Sequence, residues 1–164
     1  MSSPSSATDQ PVDHQAALTE ALAEVGGLSF FGFVEPMAEE YFTELAAAET
    51  DWVTATVAFK GGFSGTVHCA LPTGLARELV AAFSGDSESA EGDGPLDDLM
   101  GEFTNMVCGS WLSRACSRQV FSLSSPQVVR RPGGWTLGPF DGATAVLASL
   151  NDRPVALWMT AEAQ

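Results

Sequence analysis

The chain has 164 residues, and its 21 acidic and 7 basic residues give a formal net charge of −14 at pH 7. This length predicts a single domain that buries a core without disulfides or metals. The negative charge disfavours nucleic acids and anionic membranes as partners. No apolar run approaches the roughly 20 residues of a membrane-spanning helix. The N-terminus lacks the basic and apolar regions of a secretory signal, so a cytoplasmic protein is expected.

The first 50 residues predict a tail followed by helices. Residues 1–12 are rich in Ser, Pro, Asp and Gln, which indicates a disordered tail before a single domain spanning residues 13–164. Apolar residues recur at helical spacing from His14 to Val25, and Gly26–Gly27 breaks or kinks this helix. Two ambiguous stretches follow at residues 28–34 and 36–48. The first is a helical turn or a buried connection, and the second is a short helix or an acidic loop.

The next segment predicts a β-hairpin and a helix. Trp52–Phe59 and Phe63–Leu71 alternate in polarity and are joined by Gly61–Gly62, a pattern typical of two antiparallel strands. Gly65 is a candidate β-bulge in the second strand. Pro72–Phe83 then repeats its apolar residues at helical spacing. The predicted buried face of this helix comprises Leu75, Leu79, Val80 and Phe83.

The second half of the chain predicts a loop, a long helix and several strands. Residues 85–94 form a loop of Ser, Asp, Glu and Gly, and Pro95–Ser117 form the long helix. Extended segments are predicted at residues 119–124, 126–130, 143–150 and 154–160. Residues 131–142 are a loop with a segment that pairs at 135–137, and Asn151–Arg153 is a hairpin turn. This order of elements predicts an α+β fold, a two-layer α/β sandwich with an antiparallel sheet.

The long helix has two different sides. Pro95 suits the first turn of a helix, and Asp97 and Asp98 carry negative charge where the helix dipole favours it. At 100° per residue, the apolar residues gather on one side, which predicts the core face. These residues are Leu96, Leu99, Met100, Phe103, Met106, Val107 and Trp111.

The opposite side of this helix carries a polar stripe of Asp98, Glu102, Asn105 and Gly109, flanked by Leu112. Glu102 and Asn105 are neighbours at i and i+3. Gly109 costs about 1 kcal/mol relative to Ala in a helix interior, and it removes bulk where a partner would dock. From the residues alone, the stripe is also typical of an ordinary solvated helix face.

The run Asp98–Gly109, followed by Pro126, resembles the signature of the CheC/CheX/FliY phosphatases, in which an acidic or Ser residue precedes Glu, Asn and a later Pro. The spacing from Asn105 to Pro126 is slightly shorter than the signature's. The upstream hairpin and residues 71–79 also resemble this family, so the likeness spans about residues 14–160. The single Glu-x-x-Asn motif favours the CheX-like branch.

The resemblance implies an enzyme that dephosphorylates a CheY-like receiver domain in two-component signalling. Asn105 would orient the attacking water, and Glu102 would pair with the regulator's active-site lysine. Asp98 would support Glu102 or the docking surface, and Gly109 and Leu112 would contact the partner. No cofactor is expected in this chain, whereas Mg²⁺ is expected in the receiver. The resemblance also implies a homodimer.

Two alternatives and two side questions stay open. The same fold serves as a receiver-binding module without hydrolysis, or as a dimerisation module with unrelated partners. Four arginines between positions 114 and 131 either pair with a partner's acidic groups or form a solvated face. The three cysteines fit neither a disulfide framework nor a zinc site.

Overall fold

The computed structural model describes residues 12–30, 32–85, 91–135, 140 and 143–162. The predicted tail lies outside these ranges except for Val12, and parts of the two predicted loops, residues 86–90, 136–139 and 141–142, also lie outside them. Four α-helices, one π-helical turn and seven strands occupy the described ranges. In chain order they are α1 (His14–Glu24), the π turn (Val25–Ser29), β1 (Val34–Pro36), α2 (Glu39–Ala47), β2 (Asp51–Lys60), β3 (Ser64–Pro72), α3 (Thr73–Ser84), α4 (Asp93–Ala115), β4 (Ser122–Leu123), β5 (Gln127–Pro132), β6 (Thr144–Leu150) and β7 (Arg153–Ala161).

The strands form one antiparallel sheet in the order β1-β6-β7-β3-β2, and β4 and β5 both pair with the outer edge of β2. The two predicted hairpins are confirmed, β2 with β3 and β6 with β7. Asn151 and Asp152 turn the second hairpin with φ values of 52° and 65°, as a two-residue turn with positive φ requires. The predicted α+β fold with an antiparallel sheet is also confirmed.

The predicted bulge at Gly65 is wrong, because β3 pairs with β2 in unbroken register through this residue. A glycine is required at this position for another reason. A Cβ at position 65 would collide with the backbone oxygen of Thr160 on β7. Gly65 therefore allows a close approach between two neighbouring strands.

The main core lies between the sheet and three helices, α1, α3 and α4. Apolar residues of these helices meet the inward side chains of β2, β3, β6 and β7, among them Val57, Phe59, Val67, Val146 and Leu157. A smaller aromatic cluster lies on the opposite face of the sheet, under α2. There Phe42 packs on Trp52, and the Trp135 ring centroid lies 4.5 Å from that of Trp52.

The first α-helix ends at Glu24, and the π turn that follows contains Gly26 and Gly27, where a break or kink was expected. Gly26 allows a close approach of β1, because a Cβ at position 26 would lie 2.7 Å from Cγ2 of Val34. One expectation in the N-terminal half needs correction. Phe83 is 67% exposed although its spacing predicted burial, and its ring centroid lies 5.6 Å from that of Phe30. The ambiguous residues 36–48 contain α2, so the helical alternative holds there.

Candidate functional site

Helix α4 is fixed to its neighbours by ion pairs on two sides. Near its start, Arg130 of β5 donates to Asp97 at 2.8 Å, and both Arg77 and Arg130 lie 3.6 Å from Asp93. The helix begins at Asp93, two residues before the predicted first position at Pro95. Asp93 and Asp97 are therefore occupied within the chain.

Near its end, α4 is tied to α1. Arg114 pairs with Glu20 at 3.4 Å and also donates to Glu24, which accepts a further hydrogen bond from Ser110 at 3.0 Å. The hydrogen bond from Arg114 lowers the pKa of Glu24 below its ordinary value. Because both members are exposed, these pairs orient the helices more than they stabilise the fold.

The inner face of α4 is buried, as the periodicity predicts. Phe103 and Trp111 have no exposed surface, and their ring centroids lie 5.2 Å from those of Phe30 and Phe59 respectively. The indole N–H of Trp111 donates to Nδ1 of His14 at 3.3 Å. Met106 is the exception, since it is half-buried at the margin of the core.

The outer face carries the predicted stripe on one unbroken helix. Asp98 and Glu102 are exposed, and neither forms an ion pair with another described residue. Gly109 is half-buried, yet a Cβ built there would meet no atom within 4 Å. The stripe thus offers two unpaired carboxylates followed by a shallow opening.

Asn105 is less accessible than the periodicity predicts. It is half-buried, and its Oδ1 atom is buried with no hydrogen-bond partner in the described part of the chain. On one flank of the helix, Pro126 lies so near Gly101 that a Cβ at position 101 would be 3.2 Å from its ring. Position 105 follows one turn later on the same flank. An unsatisfied buried acceptor costs about 1–3 kcal/mol, which favours rotation of the amide toward any donor that arrives.

A groove of about 330 Å³ opens beside the stripe, between the C-terminal half of α4 and the segment that leads into β4. Leu112, which flanks the stripe, is only 5% exposed and forms the floor of this groove. The residues that line the groove are Gly109, Leu112, Ser113, Cys116, Ser117, Gln119, Phe121 and Leu123. Ser113 and Cys116 continue the stripe at helical spacing, a signal that sequence reasoning missed. The other wall comes from a later segment, which helical periodicity does not reveal.

The two histidines, Cys69 and Cys108 do not belong to the stripe or line the groove. His68, on the sheet face opposite α4, is hydrogen-bonded through both ring nitrogens to Thr56 and Thr66, each at 2.9 Å. Burial raises the pKa values of Cys69 and Cys108 to about 12. Within the described ranges, no cluster of three His, Cys, Asp or Glu side chains is placed to hold a metal ion.

Comparison with known proteins identifies the family to which this architecture belongs. The family model described as "Chemotaxis phosphatase CheX" matches residues 53–135, from β2 to just beyond β5, and therefore includes all of α4. No curated protein sequence matches the chain. Among the described helices, none is long and apolar enough to cross a membrane.

Solved structures share the fold at low sequence identity. The chemotaxis protein CheX from Vibrio vulnificus matches with a TM-score of 0.72 and 19% identity, over 94% of this chain and 100% of that one. CheX from Desulfovibrio desulfuricans matches with a TM-score of 0.71 and 16% identity, over 92% and 100%. The CheX–CheY–BeF₃–Mg²⁺ complex from Borrelia burgdorferi includes a chain with a TM-score of 0.61 and 11% identity, over 93% and 99%.

Proposed function

The chain belongs to the chemotaxis phosphatase CheX family, and we propose that it hydrolyses the aspartyl phosphate of a CheY-like receiver domain. The observation that carries this proposal is the polar stripe of α4. Glu102 and Asn105 lie one helical turn apart on a rigid helix, next to an opening at Gly109. A helix fixed by ion pairs on both sides is a suitable platform for positioning a reactive group.

The chemistry requires positioning more than covalent participation. An aspartyl phosphate is labile, and its hydrolysis needs a water in line with the leaving oxygen and stabilisation of charge on the phosphoryl group. Asn105 has both a donor and an acceptor, so its amide orients a water without taking its proton. This role requires the amide to rotate until Oδ1 leaves its buried position. A water or a donor on the partner then supplies the missing hydrogen bond.

Glu102 supplies the docking contact in this proposal. Its carboxylate is exposed and has no ion-pair partner among the described residues, so it is available to the lysine of a receiver's active site. A carboxylate suits this role because an ammonium group is only a donor, and charge-assisted hydrogen bonds are the stronger ones. Asp98 extends the negative stripe one turn toward the N-terminus and supports Glu102 or the docking surface.

The Borrelia complex contains CheX together with CheY, BeF₃ and Mg²⁺, which supports a CheY-like partner for this chain. The proposal needs no metal of this chain's own, because Mg²⁺ is expected in the receiver. A cytoplasmic location follows from such a partner. A second copy of the chain stays a predicted partner, and the mass of the purified protein in solution tests it.

One observation favours a second function, a receiver-binding module without hydrolysis. The Oδ1 of Asn105, the atom that would accept from a positioned water, is buried although the residue is half-exposed. If docking does not turn it outward, the stripe binds a receiver through Glu102 and leaves the phosphate intact. The two functions differ only in whether Asn105 reaches the attacking water.

The experiment is a phosphate-release assay with receiver domains from the same organism, phosphorylated by a small-molecule phosphodonor in the presence of Mg²⁺. Accelerated release by the wild type, lost in Asn105→Ala, supports the phosphatase. Binding without acceleration supports the binding module. Failure to bind any of these receivers contradicts both proposals.

A further inference from the structure

The basic residues of this acidic chain are mostly occupied by its own carboxylates. Arg77, Arg114, Arg130 and Arg153 each lie within 4.0 Å of at least one Asp or Glu side chain. Arg131 has no carboxylate partner among the described residues, but it donates to the hydroxyl of Thr54 at 3.3 Å. In the part of the chain that the structure describes, Arg118 and Lys60 have neither kind of partner.

Arg118 lies in the segment that forms one wall of the groove beside the polar stripe. Its two chain neighbours, Ser117 and Gln119, both line the groove. The side chain of Gln119 packs closely on Gly62, so that a Cβ at position 62 would collide with it. The N–H of Gln119 also donates to the backbone oxygen of Cys116 at 3.0 Å. Arg118 is therefore an exposed cation between two residues that line the groove.

Apolar surface accompanies this cation. Val120 is 91% exposed, and Leu123 is 36% exposed at the wall of the groove. Leu112 and Phe121 line the groove below them. Gly109 belongs both to the groove and to the stripe of Glu102 and Asn105, so the two surfaces are continuous. An unpaired cation beside apolar side chains suits a partner segment that combines an apolar residue with a carboxylate.

We propose that this groove is a second docking contact for the receiver domain, in which an apolar side chain enters the groove while a neighbouring carboxylate pairs with Arg118. The inference rests on the proposed function, since the receiver is the molecule that the adjacent stripe engages. Charge complementarity selects this occupant. With a net charge of −14, most of the surface repels an acidic segment, and Arg118 attracts it. Two contacts on either side of Gly109 then fix the orientation in which the phosphate meets Asn105.

The first test is a charge reversal with a matched control. Arg118→Glu is expected to lower kcat/KM for a phosphorylated receiver by about tenfold or more while kcat at saturation is retained, because docking is lost and the water-positioning amide is not. Arg131→Glu changes the charge equally. Arg131 lies far from the groove, because it is opposite Trp52 on β2, whereas Ser122, next to the groove, is opposite Lys60. Trp52 and Lys60 are eight residues apart along the strand, or about 26 Å at roughly 3.3 Å per residue. Equal effects of the two reversals overturn the proposal.

The second test separates apolar contact from charge. Val120→Ser is expected to raise KM, whereas Val129→Ser, on the sheet face opposite the groove, is expected to leave it unchanged. Added salt should weaken docking of the wild type more than docking of Arg118→Glu. Thermal unfolding of each variant checks that the fold is retained. Identical salt dependence in both proteins, or equal effects of the two serine variants, contradicts the proposal.

A footprint distinguishes this proposal from the phosphatase proposal. Cys116 lines the groove, so a receiver locked with beryllofluoride and Mg²⁺ is expected to slow alkylation of Cys116 by at least about fivefold, as expected for docking over the thiol. If this protection appears without accelerated phosphate release, the groove contact stands and hydrolysis fails. If release is accelerated but Cys116 stays unprotected, hydrolysis stands and the groove contact fails.

Discussion

The two faces of α4 differ in what their residues contribute, although they alternate within a few positions of sequence. Phe103 is fully buried against Phe30, while Glu102 just before it is exposed. Asn105 is intermediate, with a buried and unsatisfied oxygen. The inner face stabilises the fold, and the outer face carries groups that stabilise nothing in the free protein. The stability that holds α4 in place therefore comes from the packing of its inner face, which leaves the outer face free to carry reactive groups.

The largest expected effect on the inner face is that of Phe103→Ala. Removing this ring from the core should lower the free energy of unfolding by about 3–5 kcal/mol, since it creates a cavity among well-packed aromatic and aliphatic side chains. Urea denaturation measures the change. Glu102→Ala is the control and should stay within about 0.5 kcal/mol of the wild type. Equal losses in the two variants would erase the distinction between the faces.

The next largest effect is expected on the outer face, from Asn105→Ala. The rate of phosphate release at saturating receiver should fall by about 100-fold or more, the range seen when a single preorganised polar group is removed from a reaction site. Binding to a receiver locked with beryllofluoride should be retained. Stability should change little or rise, because the substitution removes a buried acceptor that lacks a donor. Full activity in this variant would exclude Asn105 as the group that positions water.

A smaller effect is expected from Glu102→Ala, which should weaken the complex with a phosphorylated receiver by about 1–3 kcal/mol because a partner lysine loses its carboxylate. Titration calorimetry measures this affinity. Glu102→Gln is the matched variant, since it keeps the side-chain length and removes only the charge. Wild-type affinity in both variants would show that docking does not use this carboxylate.

Substitutions of Gly109 on the outer face are expected to change the free energy of unfolding by about 1 kcal/mol. Gly109→Ala should raise the free energy of unfolding by up to that amount, because alanine favours the helix and its Cβ meets no atom within 4 Å. Gly109→Leu should fill the opening and reduce kcat/KM while the fold is retained. Thermal melts and the release assay check the two variants. Unchanged activity in Gly109→Leu would mean that no partner approaches this part of the helix.

The smallest perturbation is chemical labelling of the cysteines on α4 and at its end. Burial raises the pKa of Cys108 to about 12, and it also raises the pKa of the half-buried Cys116. Iodoacetamide at pH 8 should therefore modify Cys116 slowly and leave Cys108 unmodified in the folded protein. Peptide mass spectrometry reads both sites. Modification of Cys108 faster than that of Cys116 would contradict the burial of Cys108 on the inner face of α4.

Sequence patterns predicted what depends on local periodicity. The inner face of α4 and the turn at Asn151–Arg153 follow from helical spacing and from residues that accept positive φ. The half-burial of Asn105 does not, because helical spacing does not reveal which later segments, such as that of Pro126, pack beside the helix. The exposure of Phe83 also escapes helical periodicity, which identifies a face but not where the neighbouring helix ends. The groove forms between α4 and the segment that leads into β4. Helical spacing in the sequence indicates only the α4 side of it.

The contact between Gly101 and Pro126 has a consequence for how this protein can change over generations. Any side chain at position 101 places its first carbon 3.2 Å from the proline ring, so the ring must shift before the substitution fits. A smaller residue at position 126 removes this conflict. The order of substitutions therefore matters: a lineage that replaces the proline first can then vary position 101, whereas the reverse order passes through a strained intermediate.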